Sequence, residues 1–176
     1  MSKGIDLKAH IREFPDWPKE GIIFRDITPI LLNPRIFTAA IDALCANYYH
    51  SSEIEIVAAV ESRGFIFGAS IADRLGAGFV PIRKKGKLPG KVQSITYDLE
   101  YGTDTLEICC DAIEHGSGVL MVDDLLATGG TMYSACRLIE RVGGKVAGIS
   151  FLIELAYLKG REKLNDYKVT SVVSYD

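Results

Sequence analysis

The sequence predicts an α/β fold in which a mainly parallel, twisted sheet is flanked by helices. Three observations carry that expectation. The apolar stretches ending at Val60, spanning Val119–Val122 and lying within 145–155 have the continuity of strands buried on both faces. Segments with apolar residues every three or four positions separate them, which is the alternation of a βα chain. Two of the strands end in a polar, glycine-containing turn that opens a helix, and in an open parallel sheet ligands collect at that rim.

A length of 176 residues suits one domain with a substantial core. The net charge of −3 argues against a nucleic-acid footprint, which shows as an excess of Lys and Arg. The four cysteines, Cys45, Cys109, Cys110 and Cys136, have no CxxC spacing and fit a reducing cytoplasm. No apolar run has the length of a membrane span, and the residues after Met1 lack the apolar region of a signal peptide. A cytoplasmic protein without nucleic-acid or membrane partners is therefore expected.

Residues 5–12 pattern as a short helix, which Phe14-Pro15-Asp16-Trp17-Pro18 ends because two prolines in four positions cannot continue it. Gly21 to Pro29 reads as an irregular segment, unusually apolar for a loop. Ile22, Ile23 and Ile27 suit packing, whereas Phe24, beside Arg25 and Asp26, offers the flat face on which a base stacks. Asn33-Pro34 starts a packing helix with Ile36, Phe37, Ala40, Ile41 and Leu44 on one face. A strand over 53–60 then runs into Glu61-Ser62-Arg63-Gly64 and a helix over 65–75. An arginine in such a turn lies on the ligand side of the sheet, where its fork of donors matches phosphate oxygens or pairs with a nearby acid.

A strand over 77–82 leads to Arg83-Lys84-Lys85-Gly86-Lys87-Leu88-Pro89-Gly90-Lys91, with cations broken by glycine and proline. This is a solvated hairpin or a flap that closes over a charged substrate, with Tyr97-Asp98-Leu99-Glu100-Tyr101-Gly102 as its tail. A strand over 104–110 follows. Then comes Val119-Leu120-Met121-Val122-Asp123-Asp124-Leu125-Leu126-Ala127-Thr128-Gly129-Gly130-Thr131, a buried strand, two carboxylates and a turn into a helix. A helix amino terminus suits a phosphate, and two acids suit the vicinal hydroxyls of a sugar. Together they ask for a phosphorylated ribose. A helix ending at Gly143-Gly144, a strand over 145–155 and a last strand over 168–173 complete the chain. His10, His50 and His115 have no metal-ligand spacing.

The thirteen residues 119–131 resemble the phosphoribosyl-pyrophosphate (PRPP) signature of type I phosphoribosyltransferases, and their wording resembles the adenine-using branch. The segments 21–29 and 83–102 are similar to the same branch, and 61–64 and 156–164 to the family, so the resemblance covers nearly the whole chain. It implies the type I fold as one domain, 1–176, with a small N-terminal hood within 1–33 and a flexible catalytic loop over 83–102. It implies purine salvage, in which adenine and PRPP give AMP and pyrophosphate with Mg²⁺ held mainly through PRPP and water, in a homodimer. By resemblance, Asp123 and Asp124 bind ribose, and Ala127, Thr128, Gly129, Gly130 and Thr131 bind the 5′-phosphate. Glu61, Ser62, Arg63 and Lys87 meet pyrophosphate, with a cis Glu61–Ser62 peptide. Ile23, Phe24 and Arg25 bind adenine. Glu100 is the catalytic acid/base, and Arg83 and Tyr101 belong to the loop, with Arg83 reaching a neighbouring subunit. Relatives that use hypoxanthine or guanine have an acid where this chain has Ala127, although xanthine-type relatives share the alanine. A xanthine- or hypoxanthine-type enzyme and a non-catalytic PRPP sensor on the same fold are the alternatives. A dinucleotide oxidoreductase lacks support, since no GxGxxG follows the first strand.

Overall fold

The computed structural model describes residues 5–98 and 102–176, and the chain divides into two compact units, Met1–Ala43 and Leu44–Asp176. In the first unit a 3-10 turn, Lys8–His10, precedes strand β1 (Arg12–Phe14), which pairs antiparallel with β2 (Phe24–Asp26). A two-stranded ribbon thus stands where the sequence suggests a short helix and an irregular loop. Its partners are fixed at a distance in sequence: Arg12 lies opposite Asp26 and donates to its Oδ2 from Nε at 2.8 Å. The other carboxylate oxygen of Asp26 accepts from the Thr28 amide at 2.9 Å and the Thr28 hydroxyl at 2.6 Å. That turn starts α1 (Thr28–Leu32), where Pro29 falls in the first turn and forfeits no helical hydrogen bond. Asn33 Oδ1 then accepts from the amides of Arg35 and Ile36 at 3.0 and 3.3 Å and caps α2 (Pro34–Cys45). Its buried face is Ile36, Ala40, Ile41 and Leu44.

The second unit is built on strands β3 (Ile56–Val60), β4 (Gly78–Lys84), β5 (Val92–Asp98), β6 (Thr103–Cys109), β7 (Gly118–Leu126), β8 (Lys145–Leu155) and β9 (Val169–Tyr175). Among the described residues they form one sheet in the order β5-β6-β4-β3-β7-β8-β9. The five from β4 to β9 run parallel, and the β5–β6 hairpin joins antiparallel at one edge. Helix α3 (Gly64–Leu75) packs on β3, β4 and β7, with Gly68 so close to Ala59 and Phe79 that a larger residue would displace them. Helix α4 (Gly130–Arg141) sets Met132, Ala135, Cys136 and Ile139 in one apolar cluster with Ala58, Val60, Val119 and Met121. Alternate residues of β3 therefore face different helices, which is why both faces of the strand are apolar.

Two further elements differ from the sequence reading. Residues 92–98, placed there in a loop, form β5, because Ile95 and Tyr97 pack against the core while pairing from Val92 opposite Cys109 to Asp98 opposite Thr103 makes the hairpin. Strand β7 also runs on through Asp123 and Asp124 to Leu126, which stays in register with Glu154 of β8. The acids lie within a strand, not beyond it.

Candidate active site

Strands β3 and β7 are parallel neighbours whose chains leave in opposite directions. After β3 the chain crosses through α3 to β4, and after β7 through α4 to β8. That divergence is a topological switch point, and the crevice it opens is where such sheets take their ligands. A cavity of about 430 Å³ lies there. The loop after β3 supplies Glu61, Ser62 and Arg63, β7 supplies Asp123 and Asp124, and the next turn supplies Ala127 to Thr131.

Within this cavity the two acids are tied to the β3 loop. Arg63 Nη2 stands 2.6 Å from Asp124 Oδ2, and Ser62 Oγ donates to Asp123 Oδ1 at 3.3 Å while accepting from the Gly64 amide at 3.1 Å. Asp123 Oδ1 also takes the Asp124 amide at 2.9 Å. Burial pushes the Asp123 carboxyl up to about 8, and the neighbouring Asp124 adds to the rise. Asp124 is raised as well by burial, against the opposing pull of Arg63. Two adjacent acids, Asp124 buried and Asp123 half-buried, thus retain a proton near neutrality, and a ligand that donates hydrogen bonds to them favours its release.

The turn after β7 depends on glycine. Gly129 has φ of 78°, which L side chains rarely adopt, and it precedes the first helical residue of α4. No side chain among the described residues caps this helix, so its first-turn amides are open to an anion.

The structure places the remaining expected residues variously. Glu61 accepts from Arg83 Nη2 at 2.8 Å and Nε at 3.3 Å, and from the Lys84 amide at 3.2 Å. Those bonds hold its carboxyl below the usual range and raise Arg83 in return. Arg83 is therefore engaged by its own chain. Lys87 is exposed and does not line the cavity; its carbonyl accepts from Arg83 Nη1 at 3.5 Å. The Glu61–Ser62 peptide, expected cis, is trans; the cis peptide among the described residues is Trp17–Pro18. The trans isomer is the one favoured by about 3 kcal/mol for a residue other than proline. In the first unit Ile23 is exposed, Phe24 meets Trp17 edge-on with centroids 4.5 Å apart, and Arg25 is buried and ion-paired with Glu13. Glu100 and Tyr101 lie outside the described residues.

Sequence reasoning missed three residues that line the cavity: Lys84, Tyr97 and Asp104. Lys84 Nζ lies 3.7 Å from Asp104, and Tyr97 OH accepts from Thr131 Oγ1 at 3.4 Å. Lys84 and Tyr97 belong to segments already singled out, but Asp104 reaches the site only through β4–β6 pairing, for which sequence offers no signal. For a metal, the carboxylates of Asp123 and Asp124 are hard oxygen donors of the kind Mg²⁺ accepts alongside substrate oxygens and water. Among the described residues, no group of three or more His, Cys, Asp or Glu forms a cage of its own.

Comparison with known families decides what this crevice belongs to. The model of the phosphoribosyl transferase domain matches residues 29–176. The chain belongs to the phosphoribosyltransferase family. Within that family it is 54% identical over 171 residues to the adenine phosphoribosyltransferase of Acetivibrio thermocellus, covering 97% of this chain and 100% of the other. It resembles the Pseudothermotoga lettingae adenine phosphoribosyltransferase at 52% identity with the same coverage. Among solved phosphoribosyltransferase structures, adenine phosphoribosyltransferase from Thermoanaerobacter pseudethanolicus superposes with a TM-score of 0.92 at 50% identity, over 97% of this chain and 98% of that one. The Saccharomyces cerevisiae enzyme, complexed with an imino-altritol bisphosphate and adenine, superposes with a TM-score of 0.90 at 43% identity, over 94% and 96%. No helix among the described residues is long and apolar enough to cross a membrane.

Proposed function

We propose that this phosphoribosyltransferase moves the 5-phosphoribosyl group of PRPP to N9 of adenine, giving AMP and pyrophosphate in purine salvage. The observation that supports it most is the meeting of an adjacent acid pair, an arginine and an uncapped helix start in one crevice at the switch point of the sheet. The bond from the ribose anomeric carbon to pyrophosphate breaks, the bond to N9 forms, and one proton leaves the purine. Ala127 to Thr131 take the 5′-phosphate on backbone amides, and Asp123 and Asp124 accept from the ribose hydroxyls, where their charge also steadies the oxocarbenium character that develops. Arg63, with Glu61 and Ser62 of its own loop and Lys87 of the loop after β4, meets the departing pyrophosphate. Glu100 exchanges the purine proton, so that N9 attacks as a neutral nucleophile. Mg²⁺, held mainly through PRPP oxygens and water, would supply charge neutralisation for the pyrophosphate.

Ile23, Phe24 and Arg25 are assigned to adenine, Phe24 by stacking, on the wording of segment 21–29. Resemblance likewise supports one domain over 1–176 with its hood within 1–33 and its flexible loop over 83–102, which includes Arg83 and Tyr101, and a homodimer in which Arg83 reaches the neighbouring subunit. The cysteines of the described residues are free, which suits the cytoplasm. The test is pyrophosphate release from PRPP and Mg²⁺ with adenine, hypoxanthine, guanine or xanthine supplied in turn. Adenine alone should react at an appreciable rate. Preference for another base overturns the specificity, and no reaction with any base overturns the activity.

A further inference from the structure

The turn that follows β8 has no part in the reaction described above, yet its backbone is pressed against the turn after β7. A methyl group on Gly160 would overlap the Ala127 carbonyl oxygen and lie 3.0 Å from the Gly129 amide nitrogen. In the reverse direction, a methyl on Gly129 would overlap the Gly160 carbonyl and come within 3.3 Å of its Cα. Two backbones at that separation share one conformation, since neither moves without the other. The contact is held from behind by Arg161. Its Nε and Nη2 donate to the two carboxylate oxygens of Glu154 at 2.9 and 2.5 Å, Nη2 also reaches Ser171 Oγ at 2.7 Å, and Nη1 donates to the Val169 carbonyl at 2.9 Å. Ser171 Oγ in turn bonds Glu154. Glu154 is buried at the carboxyl end of β8, in register with Leu126, the last residue before the Ala127 turn. The Arg161 bonds hold the Glu154 carboxyl below the usual range, so the pair stays ionised and bidentate. Gly160 and Arg161 begin a 3-10 helix, Gly160–Leu164, which buries Leu164 in the core and so fixes its far end.

We propose that Gly160 and Arg161 are positioning residues that set the amide geometry of residues 127–130, and with it the protein's ability to recognise a 5′-phosphate. This rests on reading that turn as the phosphate site. Gly160 fills the role because only a residue without Cβ lets the two backbones touch. Arg161 fills it because a planar fork spans a carboxylate, a carbonyl and a hydroxyl at once. Neither touches substrate; both act through Ala127 and Gly129.

The experiment compares the wild-type protein with Gly160→Ala and Arg161→Gln, with Arg161→Lys as the charge-keeping control. Affinities for AMP and adenosine, which differ by the 5′-phosphate, are measured by calorimetry, and amide hydrogen exchange is followed at residues 127–131. The brace requires the AMP-to-adenosine affinity ratio to fall about tenfold or more in Gly160→Ala and Arg161→Gln, with adenosine affinity little changed. It also requires faster exchange at 127–131 while β7 and β8 remain protected. Arg161→Lys should not restore the ratio, because an ammonium does not span the three partners. Equal losses for AMP and adenosine, or unaltered exchange at 127–131, overturn the proposal. If Gly160→Ala does not fold, Arg161→Gln decides alone. A wild-type protein that fails to prefer AMP over adenosine overturns the phosphate reading itself, and the exchange measurement still judges the brace.

Discussion

Asp123 and Asp124 occupy consecutive positions on a mostly buried strand, an arrangement that keeps a proton on the pair well above the usual carboxylate range. The consequence for stability has a definite sign. Between about pH 4, where an unfolded aspartate titrates, and about 8, where Asp123 does, the folded chain binds more protons than the unfolded one. Its contribution therefore falls as pH rises through that window. Asp123→Asn removes the ionisation, so its melting temperature should gain on that of the wild type from pH 5 to pH 8, while KM for PRPP rises. Parallel melting curves by calorimetry would show that the pair holds no such proton. Proton release should also accompany ribose binding near neutral pH, visible as a binding enthalpy that depends on the ionisation enthalpy of the buffer. Glu61 is the opposite case, since Arg83 lowers its titration, and its bond to Arg83 is lost only as acid protonates it. Glu61→Gln should raise KM for PRPP with little change in melting temperature, because the pair is partly solvated.

At the scale of elements, the start of α3 meets β7 without room for a side chain. A methyl on Gly64 would overlap Asp123 Oδ1 and sit 3.3 Å from the Asp123 Cα. Gly64→Ala should destabilise by about 1–3 kcal/mol, as overpacking does. KM for PRPP should rise with it, because the displaced group is the proposed ribose ligand. A variant that melts lower yet keeps its KM would separate the packing from the site. How far elements were legible follows from where their pairing is decided. Strand β8 is readable in sequence over nearly its whole length, since Val146 to Leu155 is apolar except for Ser150 and Glu154 and follows Gly143-Gly144. The β1–β2 ribbon is not, because Arg12, Glu13 and Phe14 are all exposed and leave no alternation to detect. Arg63 and Asp124 could be singled out as neighbours in function because each ends a strand motif, and they lie 2.6 Å apart. Asp104 could not, since antiparallel pairing at a sheet edge is a non-local choice.

Over the whole molecule, a net charge of −3 coexists with five cations between Arg83 and Lys91. A polyanionic substrate approaching a negative protein is guided by such a local patch, and salt screens that guidance. KM for PRPP should therefore rise several-fold between about 0.05 and 0.5 M ionic strength, whereas KM for neutral adenine should hardly respond. Equal sensitivity of both would argue that the patch does not steer. The sheet also has a mechanical asymmetry. At the amino end of β7 a methyl on Gly118 would overlap the Glu53 carbonyl, and just beyond its carboxyl end the Ala127 turn is wedged against Gly160. The strand resembles a rail bolted at both ends, without slack for one residue more or fewer. Libraries of insertions and deletions should accordingly find 118–126 intolerant of any change in length, while the exposed bend around Gly90 accepts extra residues, so new loops are best grafted there.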